Sequence, residues 1–442
     1  MRRLRKRFPD ELVVVGVHAG KFTAEHDLEN VREAVLRHGI EHPVVNDPDY
    51  AIWRDYEVQA GPTLVLIGPD GDVLAAQAGE ISAAELEPVL ETMIAQYDLK
   101  GLLDRTPIDL EAAGPDESSS VLLYPSKVLA APGGRVFVAD TGHHRVLELA
   151  LGDGCRQARI VRAFGTGEEG LADGAPGAAA FREPRGLSLR DQTLYVADTG
   201  NHAIRAIDLA GGVVRTVAGT GRKASGAGAP EGDPRRTSLR SPWAVLAEDE
   251  FVFIAMAGTH QIWVLIGEKD VGPFAGSGRE ALVDGPRAQA AFNQPSDLAF
   301  GMGHLFVADA EASAIRAVSL DQDPRVLTLV GQGLFEFGDE DGAGADVRLQ
   351  HPTGVAFADG VVYVADTYNH KVKKLDPTTG RVDTLFGSGE PGPTDGSFEE
   401  AELYEPEGLS ILGSRLFVAD TNDHVLRVAD LEAGLVHTLE IE

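Results

Sequence analysis

One short pattern recurs six times from about residue 121 to the end of the chain. Its copies are Val136-Phe-Val-Ala-Asp140, Leu194-Tyr-Val-Ala-Asp198, Val252-Phe-Ile-Ala-Met256, Leu305-Phe-Val-Ala-Asp309, Val362-Tyr-Val-Ala-Asp366 and Leu416-Phe-Val-Ala-Asp420. A proline stands ahead of each: Pro125, Pro184, Pro242, Pro295, Pro352 and Pro406. The step from proline to the Asp/Met position is 15 residues in the first copy and 14 in the other five. Successive prolines are 59, 58, 53, 57 and 54 residues apart, so the variation lies in the connections between units. Each unit reads as four short strands. The proline opens strand a, where a missing N–H is tolerated. Strand b is the run ending in Ala-Asp, strand c follows a tight turn (Ala203–Asp208), and strand d (Val213–Val217) ends in Gly-x-Gly. A sheet of about 55 residues cannot bury a core alone, and radial packing of six of them makes a six-bladed β-propeller.

The repeat resembles the NHL-repeat family, in which a strand ending in Ala-Asp leads to a turn with Asn-His. The match is fullest at Tyr195-Val-Ala-Asp-Thr-Gly-Asn-His202 and Tyr363-Val-Ala-Asp-Thr-Tyr-Asn-His370. It weakens where Met256 replaces the aspartate and where Ser313 replaces the histidine.

The repeated polar residues admit two readings. Asp140, Asp198, Asp309, Asp366 and Asp420 end a strand before a turn, and His144, His202, His260, His370 and His424 follow four residues later. A catalytic propeller of the lyase or lactonase type would use such histidines to hold a metal. Near-identical copies, one per blade, instead fit structural turns in which each carboxylate accepts its own turn's N–H groups and each Asp/His pair staples its own blade. We expect the structural role, with no metal, cofactor or catalytic residue.

Strand direction places the aspartate turns, the Gly-x-Gly loops and the long d-to-a connections on one face. Those loops are Gly165-Thr-Gly167, Gly219-Thr-Gly221, Gly276-Ser-Gly278, Gly331-Gln-Gly333 and Gly387-Ser-Gly389. Variable loops on a constant scaffold make this face the expected partner or ligand surface. Acidic pairs beside them (Glu168-Glu169, Asp339-Glu-Asp341) read as solvated loop charge.

Residues 1–98 break the repeat. A strand-length apolar run (Leu12–His18) is followed by a helical pattern over Ala24–Gly39 with Thr23 as its cap, then a short strand (His42–Val45) and a helical turn (Pro48–Tyr56). A hairpin (Thr63–Ile67, Val73–Ala78) and a final helix from Ser82 to Tyr97 complete the order, with Glu85 boxing the cap. This α/β order, with Ala60-Gly-Pro-Thr63 ahead of a strand, resembles the later part of a thioredoxin-like domain. That resemblance implies Pro62 as the cis-proline of the family. The whole chain resembles the family of NHL-repeat-containing protein 2 and its bacterial relatives, in which a thioredoxin-like domain precedes the propeller. The family's first strand and its Cys-x-x-Cys helix start would precede Leu12, where Arg2–Phe8 reads as the last turns of that helix. Residues 1–154 contain no cysteine. We expect a start codon placed too far downstream, the competing reading being a domain that has lost its redox site.

The expected architecture is therefore mainly β. Residues 1–98 form an N-terminally truncated thioredoxin-like domain, residues 99–120 a polar linker, and residues 121–442 the NHL-type propeller. The single cysteine, Cys155, excludes an intrachain disulfide and reads as an incidental surface thiol. The net charge of −30 disfavours nucleic acid and membrane surfaces as partners. No apolar run approaches the length of a membrane span, so a cytoplasmic, monomeric protein is expected. Three functions remain: a binding or scaffold module using the loop face, a thiol–disulfide oxidoreductase whose motif lies upstream, and a metal-dependent propeller enzyme.

Overall fold

The computed structural model describes residues 1–106, 108, 120–224 and 232–442. Most of the polar linker segment 111–120 lies outside the described residues. The chain divides into two compact units, residues 1–118 and 119–442.

In the first unit, α1 (Arg2–Arg7) precedes β1 (Gly16–His18), α2 (Leu28–Arg37), β2 (Val44–Asn46) and α3 (Ala51–Asp55). The hairpin β3 (Thr63–Ile67) and β4 (Val73–Ala78) leads to α4 (Ala83–Leu99). The expected cap of α2 is corrected. Thr23–His26 forms a separate 3₁₀ turn, and Asp27 caps α2 by accepting the N–H groups of Glu29 (2.9 Å) and Asn30 (3.2 Å). A carboxylate next to the first helical turn satisfies two donors and opposes the positive helix end, which Thr23 does not. Ser82 and Glu85 form the box on α4. The strands make two sheets of two: β1 pairs parallel with β2, and β3 antiparallel with β4. Leu4 of α1 and Phe8 just after it pack with Leu86 and Leu90 of α4 against Leu64 and Leu66 of β3, so the terminal helix covers one face of the hairpin.

The second unit is a six-bladed propeller, each blade an antiparallel sheet of strands a to d. Blade 2 is representative: a is Pro184–Arg190, b Thr193–Asp198, c Ala203–Asp208 and d Val214–Ala218. Five prolines open strand a; in blade 5 the strand begins at Gly354, two residues after Pro352. The six apolar cores lie between blades, because each sheet is covered on both faces by its neighbours. Val128, Val136 and Val138 of blade 1, for example, pack on Phe417, Ala419 and Val428 of blade 6.

Each blade also gains a piece of outer edge that the four-strand reading did not contain. The connection entering a blade pairs with that blade's strand d: Gly285–Pro286 in blade 4, Gly342–Ala343 in blade 5 and Gly396–Ser397 in blade 6. Single bridges at Gly174↔Val214 and Gly232↔Val271 do the same in blades 2 and 3. Blade 1 has no incoming connection within the ring. Glu440–Ile441, from the end of the chain, takes that place and pairs parallel with Gln157–Ala158. Pairing the outer edge removes exposed N–H and C=O groups, and here it also joins the last blade to the first.

Candidate functional site

Strand a runs from one rim and strand b returns to it, as the pairing of Pro184 with Asp198 shows. The aspartate turns, the Gly-x-Gly loops and the mouth of the central channel therefore share a rim.

At that rim the aspartates are fully buried, and their partners correct the expected turn geometry. Each Oδ1 accepts an N–H from two residues before the strand-a proline of its blade, not from its own turn. The donors are Leu123 to Asp140 (2.7 Å), Arg182 to Asp198 (2.8 Å), Asn293 to Asp309 (2.6 Å), Gln350 to Asp366 (2.7 Å) and Tyr404 to Asp420 (2.7 Å). Each carboxylate thus fastens the entry of strand a to the end of strand b, two points about 16 residues apart in sequence.

The histidines do not staple their own blades either. Their Nδ1 atoms accept an N–H of the next blade: Glu183 to His144 (3.2 Å), Ser241 to His202 (3.1 Å), Gln294 to His260 (3.3 Å) and Glu405 to His370 (3.1 Å). Tyr124 donates to His424 (3.1 Å), which carries the series across the ring closure. Ser313, in the histidine position of blade 4, supplies its hydroxyl to the N–H of His351 (3.3 Å). The turn threonines follow the same logic, Thr141, Thr199, Thr367 and Thr421 donating to the carbonyls of Pro184, Pro242, Pro406 and Pro125. Every histidine in the series has a left-handed backbone (φ 50–58°), which aims the ring away from its own sheet.

An Nδ1 that accepts a hydrogen bond must be unprotonated, and the surroundings of His202 and His260 favour the neutral ring. Burial, with Lys223, Arg182 and Arg240 nearby, pushes His202 down to about 4, and burial also lowers His260. A histidine with a depressed folded-state pKa contributes stability above its unfolded value of about 6.5, and loses it as the pH falls toward 4. Exchanging His202→Leu removes the acceptor. The expected result is a lower melting temperature than the parent at pH 7–8, with the gap closing between pH 6.5 and 4. Thermal denaturation followed across that range checks it; a constant gap would contradict the assignment.

A second buried series was not singled out in the sequence. Seven residues after the aspartate, strand c carries Arg205, Arg316, Lys373 and Arg427, all fully buried. Arg205 and Arg316 bond through one guanidinium nitrogen to Asp198 (2.8 Å) and Asp309 (2.9 Å). Their other terminal nitrogens reach an aspartate of the incoming connection, Asp173 (2.9 Å) or Asp284 (3.0 Å). Both guanidinium groups lie over a phenylalanine, Phe181 at 4.9 Å and Phe292 at 5.0 Å. Lys373 uses Asp339 (2.6 Å) and Asp341 (2.9 Å), so that acidic cluster is part of the blade, not merely solvated charge. The signal is legible in part: where blade 3 replaces the aspartate by Met256 the +7 position becomes Trp263, whereas blade 1 keeps Asp140, has Leu147 at +7 and uses Arg145 (2.7 Å) instead. Burial raises Asp198 and Asp309 to about 6 against the pull of their arginines, and Asp366 to about 7 beside the more distant Lys373 (3.7 Å).

The channel mouth is lined by the residues just inside the strand-a prolines, and charged pairs close it. Lys127 Nζ of blade 1 donates to Asp297 Oδ2 of blade 4 across the axis (2.5 Å), and Asp297 also accepts the N–H of Val355 (3.0 Å). Arg185 of blade 2 donates to Glu407 of blade 6 (3.1 Å) and lies over the Trp243 ring at 4.7 Å. The remaining cavity, about 20 Å³, has room for about one water. A pocket for a small-molecule substrate occupies roughly 300 Å³ or more. Among the described residues, no group of three or more His, Cys, Asp or Glu side chains is placed to hold a metal.

In the first unit the Gly61–Pro62 peptide is cis, beside Trp53. Cys155 is half-buried in the turn between strands c and d of blade 1, and its carbonyl faces His437 Nε2 at 3.0 Å.

Comparison with known proteins matches residues 1–73 to a thioredoxin-like family model. Residues 122–149, 181–207 and 349–375 match the NHL repeat, in blades 1, 2 and 5. Across 98% of its length the chain is 39% identical to NHL repeat-containing protein 2 of Gallus gallus, covering 63% of that protein. It is 38% identical to the Homo sapiens protein of the same name, covering 64%. It is 42% identical to SUPPRESSOR OF QUENCHING 1, chloroplastic, of Arabidopsis thaliana, covering 42% of it. The chain thus spans less than two thirds of these relatives. A solved structure of a Bacteroides thetaiotaomicron protein of unknown function shares the fold (TM-score 0.52, 14% identity, 70% of each chain).

Proposed function

Because the chain belongs to the family of NHL repeat-containing protein 2, a thioredoxin-like domain followed by an NHL propeller, we propose that it acts as a binding or scaffold module. In this reading the loop-bearing face of the propeller engages a protein partner or ligand. One observation carries the reading. The repeated aspartates, histidines and strand-c cations of that rim are committed to holding blades together, and the channel mouth is filled by its own ion pairs. What varies from blade to blade is the set of d-to-a connections, and NHL propellers in general mediate protein interactions.

The connections present exposed apolar side chains, Leu171 at 41% and Phe335 at 77% exposure. Buried on contact, side chains of this kind are the usual source of binding energy. Replacing Leu171→Asp and Phe335→Asp together is expected to abolish capture of the partners that the parent retains in quantitative pull-downs. The control is Met302→Asp, also exposed (59%) but in an a–b turn on the opposite rim, and it leaves capture unchanged. An unaltered partner list for the double variant would rule out this face.

A further inference from the structure

Blade 6 places a second carboxylate in the turn that closes the ring, where blades 1 to 5 have His143, Asn201, Thr259, Ala312 and Asn369. In blades 2 and 5 an asparagine three residues after the aspartate donates from Nδ2 to the aspartate's Oδ2: Asn201 to Asp198 at 2.9 Å, Asn369 to Asp366 at 2.8 Å. The same amide also donates to a carbonyl of the incoming connection, Gly170 or Gly338, at 2.7 Å. In blade 6 that position is Asp423. An ionised carboxyl has no proton to donate.

The strand-c arginine does not make up for the missing donor. Arg427 spends its terminal nitrogens on the carbonyls of Pro393, Thr394 and Glu402 and on Asp395 and Thr438. Only its Nε approaches Asp420, at 3.3 Å from Oδ2. Asp420 is fully buried, and among the described residues neither Asp420 Oδ2 nor Asp423 Oδ2 has a hydrogen-bond donor. Glu402, from the incoming connection, adds negative charge to Asp423, and Asp395 already engages Arg427. A fully buried carboxylate and a half-buried one whose Oδ2 is out of reach of solvent, with one guanidinium already engaged elsewhere, cannot both ionise cheaply, and a shared proton resolves the conflict.

We propose that Asp420 and Asp423 share one proton, their carboxyl–carboxylate hydrogen bond replacing the one that asparagine makes in blades 2 and 5, and that this makes the ring-closing turn a pH-sensitive latch. The same turn joins blade 6 to blade 1 through Thr421 to the Pro125 carbonyl (2.9 Å) and Tyr124 N–H to His424 (3.1 Å). Charge appearing on the pair therefore acts on the joint between the last and first blades. Burial, and then the neighbouring Asp423, hold Asp420 well above the ordinary carboxylate range, and burial raises Asp423 as well. Because the folded-state values lie above the unfolded ones, the stabilisation is complete below about pH 4 and is lost as the pH rises through the pair's own titration.

The test is Asp423→Asn, which installs the amide found in blades 2 and 5. In thermal denaturation, the variant is expected to match the parent near pH 4 and to exceed its melting temperature by a margin that grows up to pH 9. In hydrogen exchange at pH 9, the Tyr124 N–H is expected to exchange more slowly in the variant than in the parent, and at the same rate at pH 5. The infrared difference between the two proteins at pH 7 should show one protonated-carboxyl stretch belonging to the parent. A gain that does not vary with pH, or the absence of that stretch, would overturn the shared proton. So would a rise in the parent's stability on adding K⁺, Mg²⁺ or Ca²⁺ that Asp423→Asn abolishes, since a cation would then hold the pair.

Discussion

Truncating Arg205→Ala is expected to cost about 3–5 kcal/mol of propeller stability, the range for removing one partner of a buried ion pair. Asp198 and Arg205 are both fully buried and 2.8 Å apart. Removing the guanidinium takes the charged partner from that carboxylate and one of the two donors from each of the carbonyls of Ala172 and Ala180. It further empties a site packed on Phe181. Urea denaturation of the isolated propeller segment and of the full chain measures the loss, and a change under about 0.5 kcal/mol would show that the pair holds nothing. The informative companion is the double exchange Asp198→Met with Arg205→Leu. It should recover a good part of the loss, because an apolar pair leaves no uncompensated charge. The protein already contains such a solution: Met256 and Trp263 fill these positions in blade 3, within the core shared by blades 2 and 3.

Gly354→Ala should be comparably damaging, at about 3 kcal/mol, the upper part of the range for overpacking. A Cβ on Gly354 would lie 1.9 Å from the backbone carbonyl oxygen of Glu407 in the next blade. Backbone cannot rotate aside as a side chain can, so strand a of blade 5 would have to move outward from the axis. Gly186 and Gly408 occupy the equivalent positions of blades 2 and 6, with comparable approaches of 2.5 Å and 2.6 Å to the next blade's backbone. The strands around the channel are therefore closest where the Lys127–Asp297 pair crosses it. Thermal denaturation and the yield of folded protein report the effect. A parent-like melting temperature would mean that the channel wall yields more readily than its packing implies. Gly413→Ala is the contrast for space alone, since a Cβ there meets no atom within 4 Å, although its φ of +60° carries a small conformational cost of its own.

The residues that identify the repeat carry local information, and that part of the fold was legible. Alternating β-branched and aromatic residues, a proline at one end and Ala-Asp (Ala-Met in blade 3) at the other mark strands a and b, and the nearly constant spacing gives their antiparallel pairing. The hairpin and capped helix of the first unit were readable for the same reason, since Ser82 and Glu85 are three residues apart. The cap of α2 was misplaced because Thr23 and Asp27 both satisfy the pattern, and only the 3₁₀ turn between them separates the two.

The site was less legible. The sequence by itself determined that there are six blades, where their strands lie, and that the aspartate turns and variable connections share a rim, because all of these depend on contacts within about 15 residues. It also contained the +7 cation series of blades 2, 4, 5 and 6; blade 3 has Trp263 there beside Met256, and blade 1 keeps Asp140 with Leu147 at +7 and uses Arg145, two residues earlier, as the cation. Only the tertiary structure decided what the repeated polar groups hold. The Asp140 series ties the entry of strand a to its own blade, the His144 series reaches into the next, and Lys127 meets Asp297 across 170 residues of chain. The physical reason is that closing a ring brings the sixth blade against the first. Hydrogen bonds such as Tyr124 to His424 and the strand pairing of Glu440–Ile441 on Gln157–Ala158 exist only once every blade between them has formed.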